Sequence, residues 1–290
     1  MTAPVRRLVA ADGLPLVLRV APHPTPRAAV LVVHGYSDHG GQYAHVLEQL
    51  QANGFTAAAG DLRGHGESGG RRGFVARFGD YLHDLDAMLA ELRAQHPESG
   101  ELPVFLLGHS LGGLVSAAYA RSRPRVLTGL VLAAPFARLK YPVPAWKQRL
   151  AQVVSGALPG FGLPSGVPSE LLSHDPSWVR RFETDPLAFA RANARWFAET
   201  IAAQGAMAEA RVAGAMPTLL LLAGDDRIVC NAAARTLHAA LTSDPEAVRE
   251  YPGLYHALFH ELDHRLVVDD TVSWIDAVLG TSAVPPGSRS

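Results

Sequence analysis

Four short apolar runs limit what this chain can become. "AAVLVVHG" (28–35), "LPVFLLG" (102–108), "LTGLVLAAP" (127–135) and "MPTLLLLAG" (216–224) are near-continuous rather than alternating, and each ends in glycine or proline. A strand that is apolar at every position has both faces covered, the situation of a parallel strand between layers of helices. Helices are available to cover them. "QYAHVLEQLQANG" (42–54) has a helical period and a stop at Gly54, and Phe78, Tyr81, Leu82, Leu85, Met88, Leu89 and Leu92 recur at three and four across 77–95. "LGGLVSAAYARS" (111–122) is a further helix, and "FTAAAGD" (55–61) a weaker strand. At the N-terminus, "VRRLVA" and "LPLVLRV" flank Asp12-Gly13, the pattern of a β-hairpin. Strand and helix in alternation predict an α/β fold with a mostly parallel central sheet flanked by helices.

One stretch breaks the alternation. From Phe136 to about Ala215 no strong strand occurs, and prolines 142, 144, 159, 164, 168 and 176 punctuate short helical pieces. So long an interruption inside a compact domain is unusual unless it has a function. Residues 136–215 are therefore expected to form an inserted helical cap, with "PLAFARANARWFAETIAAQ" (186–204) as its main helix. An extra helical layer with no part in the site is the alternative. The core then comprises residues 1–135 and 216–280, and 281–290 read as a disordered tail.

Charge and cysteine content exclude several classes. Lys plus Arg is 26 against 27 for Asp plus Glu, a net charge of -1, where a nucleic-acid binder would carry a basic surplus. Cys230 is the only cysteine, so neither an intramolecular disulfide nor a zinc-type cysteine cluster can form. No P-loop occurs, and no G-x-G-x-x-G follows the first strand. Neither a signal-peptide core at the N-terminus nor an apolar run near 20 residues is present, which predicts a cytoplasmic protein.

The chemistry gathers at "LLGHSLGGLVSAAY" (106–119). Gly108-His109-Ser110-Leu111-Gly112 fits G-x-S-x-G, a sharp strand-to-helix turn that exposes a serine hydroxyl. Alone it is weak, since about one chain in ten of this length would contain it by chance. Here it follows a strand and opens a helix, whose N-terminal amides favour developing negative charge. A serine nucleophile also needs a base, and the base an orienting carboxylate, in the order Ser, acid, His. "GDDRIV" (224–229) leaves the strand at 216–224 with Asp225 and Asp226, and "YPGLYHALFHELDH" (251–264) then offers His256, His260 and His264. After the strand at 28–35, the Tyr36 amide could pair with that of Leu111 to face an oxyanion.

These segments together resemble the monoacylglycerol lipase and lysophospholipase group of α/β-hydrolases, the serine aminopeptidase S33-like branch. "HGYSDHGGQY" (34–43) is similar to its oxyanion segment, "DLRGHGESGGRRG" (61–73) to its D-x-R-G-H-G-x-S segment, "GDDRIV" to its acid loop and "YPGLYHALFHEL" to its histidine loop. The resemblance implies Ser110 as nucleophile, Asp226 as acid, His256 as base, and the amides of Tyr36 and Leu111 as oxyanion donors. It implies no cofactor and no metal. Ser37, Asp38 and Gln42 depart from the group's usual Gly, Glu and Arg, so a charge pair behind the loop is expected to be missing. Trp196 and Phe197 are candidates to line an acyl pocket, although aromatics on a helix are first of all packing residues. His34 and His65 read as loop braces, Cys230 as a packing residue, and Arg71-Arg72 as a solvated loop.

The resulting expectation is a serine hydrolase of carboxylic esters, with monoacylglycerols or lysophospholipids as the substrates the resemblance implies. Its partner is a small ester with an apolar acyl chain, not a nucleic acid, and transient contact with a membrane surface stays open. A general short-chain carboxylesterase is the alternative within that class. A non-catalytic binding protein on the same fold is the alternative outside it.

Overall fold

The computed structural model describes residues 3–96, 102–141, 143–164, 167–209, 216–242, 244 and 246–282. The chain opens with the antiparallel pair β1 (Val5–Val9) and β2 (Pro15–Ala21), which turns at Asp12-Gly13. There follow β3 (Ala28–Val33), α1 (Ala44–Ala52), β4 (Phe55–Asp61), α2 (Gly79–Ala94), β5 (Val104–His109), α3 (Leu111–Ser122) and β6 (Gly129–Ala133). After a long excursion come β9 (Thr218–Ala223), α7 (Asn231–Leu241), β10 (Val248–Tyr251) and α8 (His264–Ser282).

The eight strands form one sheet in the order β1-β2-β4-β3-β5-β6-β9-β10, parallel from β4 to β10. Every residue of β3, β4, β5, β6 and β9 is buried. That is why their sequences run apolar instead of alternating: α1 packs with α8, and α2 with α3. β10 escapes the sequence reading because it has four residues, two of them Arg249 and Glu250. It closes the sheet edge, where charge is tolerated and discourages further pairing. Strand order reverses at β3, which lies between β4 and β5. The crevice beyond the carboxyl ends of strands at such a reversal is where ligands bind in open α/β sheets.

The excursion between β6 and β9 holds α4 (Ala145–Ala157), β7 (Gly162–Pro164), α5 (Pro176–Thr184), β8 (Arg191–Asn193) and α6 (Ala194–Glu209), with β7 and β8 paired antiparallel. The helix expected over 186–204 starts only at Ala194. Ahead of it the Asp185 carboxylate takes the amide of Leu187 at 2.8 Å, and residues 191–193 pair with β7. Periodicity within a segment cannot reveal a strand partner far away in sequence. The tail expected from residue 281 lies outside the described residues from 283 onward, and 281–282 close α8. Among the described residues no helix is long and apolar enough to cross a membrane.

Candidate active site

β5 delivers Ser110 to the reversal point in a backbone conformation that L-residues rarely adopt, φ 53° and ψ −116°. The surroundings impose it. The Ser110 amide donates to the Ala133 carbonyl at 3.0 Å, and its carbonyl accepts from the amides of Leu114 and Phe136. A Cβ at Gly108 would sit 2.4 Å from the Gly112 carbonyl oxygen, and one at Gly112 would sit 2.0 Å from that of Val33. Only hydrogen fits at either place, so both glycines of the motif have a steric cause. Leu111 begins α3, where an amide has no carbonyl of its own helix to bond. The neighbouring loop after β3 brings Gly35 and Tyr36 alongside. A Cβ at Gly35 would lie 3.3 Å from that of Ser110.

Asp226 leaves the end of β9, and its Oδ1 accepts the amides of Ile228 at 2.7 Å and Val229 at 2.8 Å. Its Oδ2 lies 2.8 Å from His256 Nδ1, and His256 Nε2 lies 2.9 Å from Ser110 Oγ. Burial works to raise the Asp226 carboxyl, but the attraction of His256 and the hydrogen bonds from His256, Val229 and Ile228 hold it below the usual carboxylate range. An ionised Asp226 accepts a hydrogen bond from Nδ1–H, which keeps the proton on Nδ1 and leaves Nε2 free to accept from the serine hydroxyl. Asp225 turns away, more than half exposed and 3.8 Å from Arg227. His264 bonds the Glu261 carbonyl, and His260 lies flat against Trp178, so neither approaches Ser110 through those contacts.

His109, beside the serine, backs the His256 main chain. Its Nε2 is 3.0 Å from the His256 carbonyl, its Nδ1 is 3.1 Å from Tyr43 Oη, and Tyr43 Oη is 2.9 Å from Asp38 Oδ2. Burial lowers His109 to about 3, so the ring is neutral and carries one proton. A carbonyl can only accept, so that proton sits on Nε2. The Tyr43 hydroxyl beside Nδ1 donates to Asp38 Oδ2, whose carboxyl burial pushes up to about 6. Sequence offered no sign of this relay, because its members are adjacent only in space. His34 and His65 brace loops as expected. His34 Nε2 accepts the Leu62 amide, and His65 Nδ1 meets the Arg63 carbonyl at 3.0 Å.

The excursion is tied to these loops at several points. Asp185 Oδ2 meets His39 Nε2 at 2.9 Å and Gln42 Nε2 at 2.7 Å, so a carboxylate from beyond β6 serves behind the loop where a charge pair was expected to be missing. Glu261, 1% exposed, accepts the Tyr255 amide at 2.7 Å, the His174 amide at 2.9 Å and His174 Nδ1 at 2.9 Å. The Ala257 amide donates to the Leu172 carbonyl, and Ser173 Oγ to that of His260. Arg71 is not simply solvated, since it donates to the Gly160 carbonyl at 2.7 Å. Cys230 is more than packing: Arg138 donates to its sulfur at 3.2 Å and, against partial burial, holds the thiol below its usual value.

Over Ser110 and His256 opens a cavity of about 650 Å³ with mostly apolar walls, among them Phe136, Leu172, Phe182 and Val154. Trp196 and Phe197 both line it. Among the described residues no group of three or more His, Cys, Asp or Glu is disposed to hold a metal ion.

Residues 24–263 match the family described as Serine aminopeptidase, S33. A monoacylglycerol lipase of Mycolicibacterium smegmatis is 32% identical over 255 residues, 88% of this chain and 90% of that protein. A phospholipase of Bacillus subtilis is 29% identical over 239 residues, 81% of this chain and 90% of that protein. The crystal structure of the Paleococcus ferrophilus monoacylglycerol lipase superposes with a TM-score of 0.77 at 32% identity, covering 89% of this chain and 99% of that one.

Proposed function

The chain belongs to the serine aminopeptidase S33 family and is a carboxylic ester hydrolase; from that premise we propose that it cleaves monoacylglycerols through an acyl-enzyme on Ser110. The observation that carries the reading is the unbroken contact Asp226–His256–Ser110 at the floor of an apolar cavity. His256 Nε2 takes the proton of Ser110 as Oγ bonds the ester carbonyl carbon. The carbonyl electrons move to oxygen, which faces the amides of Tyr36 and Leu111. When the intermediate collapses, the bond to glycerol breaks and glycerol leaves with the proton from His256. Water then attacks the acyl carbon, gives its proton to His256, and the fatty acid departs as Ser110 regains one.

The apolar cavity suits an acyl chain better than a peptide, and the surface above it suits lipid. By sequence, residues 136–169 hold four Lys or Arg and no Asp or Glu. Trp146, Leu150 and Phe161, which line the cavity, are each at least half exposed. Such a rim supports transient contact with a lipid surface at the mouth. The phospholipase relative favours one further reading, a lysophospholipid in the same cavity. Hydrolysis of 1-monoacylglycerols, lysophosphatidylcholine and nitrophenyl acetate side by side is the test. A clear kcat/KM advantage for the monoacylglycerol is expected. An advantage for nitrophenyl acetate would make the protein a short-chain carboxylesterase.

A further inference from the structure

We propose that the side chain of Tyr36, and not its amide alone, is a positioning residue for the oxyanion, and that it works by keying the β3 loop into the excursion. Its hydroxyl lies 3.0 Å from the Gly73 carbonyl and 2.9 Å from the Arg191 carbonyl. One proton is thus shared between the loop that follows β4 and strand β8. The ring stacks on Trp196 of α6, with centroids 3.6 Å apart, and meets Phe189 edge-on at 5.2 Å.

The socket is built for a phenol. Gly73 has φ 61°, and a Cβ there would lie 2.4 Å from the Tyr36 oxygen and 2.7 Å from Phe189 Cε2. Asn193, buried at the end of β8, donates to the Arg72 carbonyl at 2.9 Å and the Gly73 carbonyl at 2.8 Å, and so holds the socket closed. Only two side-chain torsions separate a tyrosine ring from its backbone. A ring held on its face, its edge and its hydroxyl therefore fixes the Cα–Cβ direction and with it the 35–36 peptide. Oxyanion donors act through placement, because the hydrogen bond strengthens only as charge develops on the carbonyl oxygen. The excursion thereby acts on chemistry as well as on substrate selection: unless β8 and α6 are seated, the Tyr36 amide is free to swing.

This rests on the Tyr36 amide serving as an oxyanion donor, so the test has to separate the two ideas. In Tyr36→Phe the ring and its stacking stay and only the hydroxyl goes. The kcat on a monoacylglycerol should fall about ten-fold with KM changed less than about two-fold, a fraction of the 10²–10³ seen when a whole donor is lost. The affinity for an alkyl boronic acid, whose adduct on serine carries an oxygen in the oxyanion position, should fall in parallel. Gly73→Ala should lose more, and Gly73→Ala with Tyr36→Phe should recover part of that loss, since the colliding oxygen is gone. A Tyr36→Phe kcat within about two-fold of wild type, or a loss confined to KM with boronate affinity unchanged, overturns the proposal. Boronate binding, read on protein that circular dichroism shows to be folded, keeps the test valid if stability also drops. Turnover that survives in Ser110→Ala would instead reject the reading of the site itself. An inactive Ser110→Ala beside a fully active Tyr36→Phe would reject only the role of the side chain.

Discussion

In α4, Trp146, Leu150 and Val153 turn outward and are 53–71% exposed, whereas Ser173, Trp178, Asn193 and Trp196, farther along the same excursion, are all 6% exposed or less. The first region presents apolar surface to its surroundings. The second is threaded into the site by Asp185, Glu261 and the Tyr36 hydroxyl. Position in an insertion therefore does not assign a role. A residue buried among these loops is placed to hold their geometry, and one left exposed at the mouth is placed to meet what enters.

Every arm of that contrast depends on Ser110, the proposed nucleophile, so Ser110→Ala comes first. It should abolish ester hydrolysis while leaving the circular dichroism spectrum unchanged, and measurable turnover in the purified variant would remove the foundation.

Acid should strike the core side of the comparison. Burial lowers His34 and His65, in loops leaving the sheet, and His109, at the end of β5, to about 3, while the His174 side chain in the excursion is 42% exposed. An unfolded histidine titrates near 6.5, so the unfolded chain binds more protons between about 6.5 and 3, and stability is lost as pH falls through that window. Asp38 works the other way. Its folded value of about 6 lies above the unfolded one, so its burial penalty fades as pH falls below 6. At about 1.4 kcal/mol per unit and group, two units below 6.5 removes roughly 8 kcal/mol through the three histidines, comparable to a whole domain's stability. Tryptophan fluorescence should show cooperative unfolding above about pH 4. A fold intact at pH 3.5 would mean these rings are not held neutral.

Asp226→Asn keeps the shape but removes the charge that sets the His256 tautomer. A loss near the roughly 10⁴ typical of such a change is expected, against about ten-fold at most for Asp225→Asn, which sits outside the contact chain. Steady-state rates of both variants on one ester decide the assignment, and a worse Asp225→Asn would reverse it.

Glu261→Gln tests the threaded region directly. Glutamine offers one acceptor oxygen where three N–H groups converge, so one donor is left facing an amide NH2. A fall in kcat of about ten-fold on long and short esters alike is expected. An effect on long esters only would make this region a selector like the mouth.

The smallest effects belong to the mouth and the pocket wall. Phe197→Ala and Trp146→Ala should lower kcat/KM several-fold on long-chain monoacylglycerols and leave nitrophenyl acetate within about two-fold. Trp196→Ala should not share that pattern. Trp196 lies under the Tyr36 ring as well as on the cavity wall, so both substrates should suffer. If Trp196→Ala were selective and Phe197→Ala were not, the contrast between threaded and presenting residues would collapse.

Whatever depends on local backbone preference or on the face a residue turns to its own element could be read from the sequence. The apolar runs became β3, β5, β6 and β9 because a doubly covered strand leaves no polar position. The serine corner was visible because its glycines answer to collisions within a few residues and with the adjoining strand. The chain order of Ser110, Asp226 and His256 was equally legible, since each follows its own strand or loop signal. Tertiary structure alone decided that Asp38, Tyr43 and His109 line up behind His256, that Glu261 and Asp185 clamp the excursion, and that residues 186–193 are not helix. These contacts join side chains far apart in the chain, several of them by more than a hundred residues. No period or spacing encodes such a partner, because only the folded sheet and the loops at its carboxyl edge bring the two ends within hydrogen-bonding distance.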